Sequence, residues 1–147
     1  YSIVSLISAV ILSFMPFQTK PLFLAIFPLF SVRKIAWHIP SDAEWTTLTN
    51  YVGGVSDAGS KLKATSGWNA HATYGNGSDA HGFSALPGGY GNSVVDFYVV
   101  GLNGYWWSST ENDANGAWLR SMNYNYGNVT GGSNGKTYLF SVRCVQD

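Results

Sequence analysis

The sequence predicts an α+β fold, in which two short early helices precede an irregular, loop-rich antiparallel sheet. Three observations carry this: a capped amphipathic helix pattern near residue 42, a switch after residue 66 to short β-type segments cut by glycine turns, and a polar composition built on amides and hydroxyls. Charged residues make up 11% of the 147 residues, aromatics 16%, and glycine contributes 17 positions. Ordinary domains carry about 25% charge, so Asn, Ser, Thr and Gly supply the polarity of a turn-rich β surface.

The first helix is written in "HIPSDAEWTTLTNYVGG". Ser41 and Glu44 have capping-box spacing, and Asp42 lies in the first turn, where the helix dipole favours an anion. Trp45, Leu48 and Val52 follow at i, i+3 and i+7 on one face, and Gly53-Gly54 provide the stop. The spacing predicts a helix over 42–51, packed through Trp45. A shorter helix is expected over 56–63, with Val55, Ala58 and Leu62 inward.

Beyond it, "GFSALPGGYG", "DFYVVGLNGYWWSST", "GAWLRSMNYNYGNVT" and "KTYLFSVRCV" read as strands and turns. In the last, Tyr138, Phe140, Val142 and Cys144 alternate with Leu139, Ser141, Arg143 and Val145. Asn134-Gly135 is a strong hairpin dipeptide before that segment. The tripeptide YGN begins at Tyr74, Tyr90 and Tyr126, but the unequal spacing marks reused turn chemistry and not a repeat.

Residues 1–36 form a compositionally separate apolar segment, and 37–147 the domain. Residues 1–32 hold Lys20 as their sole charge, and Pro16, Pro21 and Pro28 oppose one straight helix. The run from Tyr1 to Phe17 falls short of the about 20 residues a membrane span needs. Export or membrane anchoring, packing between copies of the chain, and completion of the domain core all remain open for this segment. Lys plus Arg equals Asp plus Glu at 8 each. From Trp37 onward five bases face all eight acids, a balance of −3, which excludes the basic surface that nucleic-acid binding requires.

"WHIPSDAEWTTLTNYVGG", "AGSKLKATSGWN", "GFSALPGGYGN", "GYWWSSTEN" and "FSVRCV" occur in this order, and together they resemble the Fibrobacter succinogenes major paralogous domain family from Trp37 to Asp147. The resemblance implies an extracellular or cell-surface module with a fold like those of C-type lectins and formylglycine-generating enzymes, its two chain ends brought together. It also implies a cysteine before the first helix to pair with Cys144. Here the matching positions read "RKIAWHIP", so Cys144 is expected to be a buried free thiol in the closing strand.

Candidate chemistry is sparse. A lone cysteine cannot supply the reactive pair that formylglycine-generating enzymes use, and no phosphate-cradling loop or nucleophile elbow occurs, so an enzyme is not expected. His38, His71 and His81 lack the close spacing of zinc ligands; His38 reads as a hydrogen-bonded structural residue. Glu111, Asn112 and Asp113 gather oxygen donors suited to calcium, although such clusters also serve plain turns; no cofactor is required.

Ligand binding is expected from Trp106, Trp107, Trp118, Asn123, Tyr124, Asn125, Tyr126 and Asn128, because rigid aromatics give contact area at low entropy cost and amides give adaptable donors and acceptors. One of Trp106 and Trp107 should be core, while the asparagines and at least one tyrosine should be exposed. Asn76-Gly77-Ser78 and Asn128-Val129-Thr130 match the glycosylation pattern, a weak signal in so Asn-rich a chain. The expected function is a non-enzymatic surface module that binds a glycan or surface protein. The alternative is a structural subunit of a filament or array, assembled through residues 1–32 as a homo-oligomer or by membrane contact.

Overall fold

The computed structural model describes residues 36–92 and 96–147, and Ala36–Asp147 forms one compact unit. The expectations for residues 1–32 lie outside the described residues. Strand β1 (Trp37–His38) leads into helix α1 (Asp42–Tyr51) and then α2 (Ala58–Leu62). Six further strands follow: β2 (Tyr90–Gly91), β3 (Phe97–Tyr98), β4 (Asn103–Glu111), β5 (Gly116–Asn123), β6 (Thr130–Gly135) and β7 (Val145–Gln146).

Helix α1 begins as its sequence predicts. The Ser41 side chain accepts the Glu44 N–H while Glu44 accepts the Ser41 N–H, closing the capping box. It ends where Gly53 and Gly54 take positive φ, a conformation that costs a residue with Cβ. Its inward face carries Trp45, Thr49 and Val52, each at most 4% exposed. Helix α2 is shorter than predicted: Ala58 and Leu62 are buried, but Val55 lies before the helix and is exposed.

The central sheet is an antiparallel meander in the order β4-β5-β6. Trp106 pairs with Arg120, and Trp107 with Leu119. Successive strand residues face opposite sides, so the adjacent tryptophans part company. Trp106 joins Trp45, Leu62, Trp68, Met122 and Val129 in the core. Trp107 turns to the other face and lies 4.5 Å from the Phe140 ring. That face carries a second aromatic group, in which Phe140 stacks on Tyr105 and Tyr90 stacks on Tyr98.

The closing segment departs from the predicted long strand. Asn134 and Gly135 end β6, and the turn falls after them. Ser141 exchanges backbone hydrogen bonds with the edge of β4, residues 142–144 pair with nothing regular, and only Val145–Gln146 form a strand. Cys144, expected to be buried, is exposed. The sheet ladder that would turn its side chain onto the core is interrupted at that point, while Arg143 lies over the Phe83 ring at 4.7 Å.

The ends of the unit meet without a disulfide. β1 pairs antiparallel with β7, His38 opposite Val145. The His38 ring bridges two carboxylates, with Nε2 2.8 Å from Glu44 and Nδ1 2.7 Å from Asp147. This joins the first helix to the last residue by charge and hydrogen bonding.

Candidate functional site

The loop between β5 and β6, Tyr124 to Val129, holds four of the predicted binding residues with Asn123 before it, and its backbone is fastened from several directions. Tyr124 N–H donates to Leu102 O, and Val129 N–H to Val55 O. Asn123 Oδ1 accepts the Asn125 N–H at 3.0 Å, an Asx-type turn. Its amide nitrogen donates to Asn103 Oδ1 at 2.6 Å. Ser60 N–H donates to Gly127 O. Here α2 comes so close that a Cβ at Gly59 would meet the carbonyl oxygens of Gly127 and Asn128.

A further fastening is a lysine that sequence reasoning passed over. Lys63 has 0% exposure, and its ammonium donates to three backbone carbonyls: Tyr126 at 2.8 Å, Asn123 at 2.9 Å and Gly75 at 3.2 Å. Three donors meet three acceptors, and the Trp68 ring lies 5.0 Å away. Burial pushes the Lys63 amine down to about 8, which still leaves it charged at neutral pH. The ion thus ties the β5–β6 loop to a second loop, His71 to Gly75.

That second loop contributes rings. His71 Nδ1 accepts the N–H groups of Thr73 and Tyr74, which fixes the imidazole in its own turn. The ring then stacks on Tyr74 at 5.7 Å and meets Tyr124 edge-on at 6.0 Å. Tyr126 is 57% and Tyr74 39% exposed. Asn125 Oδ1 is shielded from solvent and accepts no hydrogen bond among the described residues.

The other side of the same loop walls a cleft of about 240 Å³ against α1, lined by Thr46, Asn50, Val55, Asn128 and Thr130 over Arg120. Arg120 is buried and held by Asp42: one guanidinium nitrogen donates to the Asp42 carboxylate, the other to Asp42 O and Thr46 Oγ1. Asn128 Nδ2 donates to Thr130 Oγ1. The cleft therefore offers hydroxyls and amides around a charge that is already neutralised.

The structure does not gather all the predicted residues. Trp106 is core, Trp107 faces the opposite side of the sheet, and Trp118, 36% exposed, stands opposite Ser133 on the neighbouring strand. Asn123, Asn125 and Asn128 are half-buried, not exposed as expected: the amides of Asn123 and Asn128 brace the loop, and Asn125 is held through its backbone N–H. Tyr126 is exposed as expected.

In the β4–β5 turn, Glu111 pairs with Lys136 at 2.7 Å. Asp113 accepts the N–H groups of Asn115 and Gly116, hydrogen bonds that hold its carboxyl below the usual range, and Asn112 also donates to it. Among the described residues no group of three or more His, Cys, Asp or Glu is placed to hold a metal ion. Lys63, His71, Tyr74, Thr46 and Asn50 are the additions. Of these, only the hydroxyl-and-amide run "TTLTN" carried a sequence signal, and it was indistinguishable from an ordinary solvated helix face.

Among known proteins, no curated protein and no solved structure matches this chain. One family model, described as Fibrobacter succinogenes major domain, matches residues 35–146, which spans the whole compact unit from β1 to β7. The chain belongs to the Fibrobacter succinogenes major domain family.

Proposed function

We propose that this protein is a non-enzymatic extracytoplasmic module that binds a neutral, hydroxyl-rich ligand, a glycan, through the Tyr124–Thr130 loop and the cleft beside it. The observation that carries the reading is the fastening of an amide- and tyrosine-bearing loop from several directions. A loop held in one form loses little entropy when a ligand arrives, and exposed Tyr126 and Tyr74 offer ring faces beside amide groups. The cleft favours a neutral ligand because its guanidinium is already paired with Asp42.

A C-type-lectin-like arrangement is part of the proposal. Two short helices, a loop-rich sheet and paired chain ends support it. Calcium is not required for binding in this reading, since a lysine ammonium already organises the loop.

The test is binding of the full chain to an array of neutral glycans and bacterial surface proteins, with and without chelator. Tyr126→Ala and Asn128→Ala are expected to weaken glycan binding about tenfold or more while leaving the fold intact. Unchanged binding, or capture by surface proteins alone, would refute the glycan assignment. A second reading, a filament or surface array built through residues 1–32, is favoured by 32 residues bearing one charge, since so large an apolar stretch seeks cover. A soluble monomer on sedimentation without detergent would remove it.

A further inference from the structure

Recognition loops rich in backbone carbonyls are commonly organised by a bound metal ion, which takes six or more oxygen ligands from carboxylates, carbonyls and water. The site proposed above has the carbonyls but gathers them around a side chain. Gly75, Asn123 and Tyr126 come from two loops far apart in sequence, and their oxygens converge on Lys63 Nζ at 2.8–3.2 Å. Among the described residues Lys63 has no carboxylate partner, so the carbonyl dipoles are its counter-charge.

We infer that Lys63 is a built-in, covalently tethered cation that positions the binding loop, taking the place a dissolved metal would hold and making the loop's conformation independent of metal. This rests on the proposed recognition role of that loop, but it concerns the loop's order and is read without any ligand. Lys63 is a positioning residue: it touches the loop backbone and is too deep to touch a ligand. Its position explains why the second loop belongs to the site. Without the ammonium, the Gly75 carbonyl has no reason to approach Asn123 and Tyr126, and Tyr74 and His71 are no longer held against Tyr124.

The contribution is one of arrangement. Burying an ammonium is costly, as its lowered proton affinity shows, yet removing the donors strips the Gly75 and Tyr126 carbonyls of their partner and leaves Asn123 O with the Tyr126 N–H alone, which is worse than the pair itself being absent. Lys63→Met keeps the aliphatic path and removes only the N–H donors. Lys63→Ala opens a channel whose missing atoms are those of propylammonium.

Hydrogen exchange of the full chain tests this. In Lys63→Met, amides of 71–76 and 123–129 should exchange about tenfold faster or more while α1 amides keep their protection. Propylammonium should restore protection in Lys63→Ala where 1-propanol does not, and chelator should leave wild-type exchange unchanged. Unchanged loop exchange in Lys63→Met, equal rescue by the alcohol, or loss of protection on chelation would each overturn the inference. If both variants fail to fold, ¹⁵N spectra of wild-type lysine side chains decide. A protected Lys63 ammonium signal, coupled across hydrogen bonds to the three carbonyls, supports it; a rapidly exchanging, solvent-like signal refutes it.

Discussion

Replacing Asp42 with Asn tests how the cleft is built, because the change keeps the shape of the side chain and removes the charge that neutralises Arg120. The Arg120 side chain is 9% exposed and that of Asp42 is 32% exposed. Removing one partner of a fully buried ion pair costs about 3–5 kcal/mol, since the other charge is left stranded. Asp42 is partly solvated, and the Asp42 carbonyl and Thr46 hydroxyl still accept from Arg120, so the expected cost is about 2–3 kcal/mol.

In a unit of this size that lowers Tm by about 8–12 °C. Urea denaturation followed by tryptophan fluorescence reads it, because Trp45 and Trp106 both lie in the core that α1 and β5 share. Arg120→Met in the Asp42→Asn background should recover part of the loss, the sign of a stranded charge. A cost for Asp42→Asn below about 0.5 kcal/mol, the level of an exposed pair, would refute the reasoning. So would a double variant no better than the sum of the singles.

Three further outcomes follow from the same geometry. The Glu44 and Asp147 carboxylates raise the His38 pKa above its ordinary 6.5, and hydrogen bonds from the Ser41 backbone and hydroxyl, with His38, lower that of Glu44 to about 2. The His38 contribution is therefore complete below about 6.5 and lost as pH rises through the raised value; the Glu44 contribution is present above about 4.5 and lost as pH falls towards 2. Denaturation midpoints should fall from pH 6 to pH 8.5, and His38→Gln should flatten that slope.

Lys63 has the opposite sign. Between about 8 and its ordinary 10.5 the unfolded chain binds more protons than the folded one, so stability from this group rises with pH across the window, a rise that Lys63→Met should lack. Finally, Cys144 should react with a thiol reagent at native, unfolded-independent rates, because it is exposed; protection until global unfolding would restore the buried-thiol expectation.

Local chemistry made the first half of the domain legible. The capping box, the paired glycines and the Trp45–Val52 spacing are short-range signals, and α1 has the predicted bounds. The split between Trp106 and Trp107 followed from strand alternation alone. Signals that depended on a long-range partner failed. Alternation over 138–145 reads as one strand, but the neighbouring β4 edge engages that segment only around Ser141, leaving Cys144 outside.

At the site, the Asn and Tyr residues of 123–128 were visible as a recognition composition, but Lys63 was not. A lysine between Leu62 and Ala64 looks like an ordinary charge at a helix end. Only the fold brings Gly75, Asn123 and Tyr126 around it. Trp118 illustrates the converse: an aromatic close to the loop in sequence that a strand carries away from it.

The central claim is that recognition belongs to the loop held by Lys63. Amide chemical-shift mapping of the ¹⁵N-labelled full chain, titrated with whichever neutral glycan the array retains, addresses it most directly. The expected result is a set of shifts confined to Tyr124–Thr130, to Tyr74 and to Thr46 and Asn50 across the cleft. Shifts concentrated instead at the Asn112–Gly116 turn, or on the opposite sheet face around Tyr90 and Phe140, would contradict it.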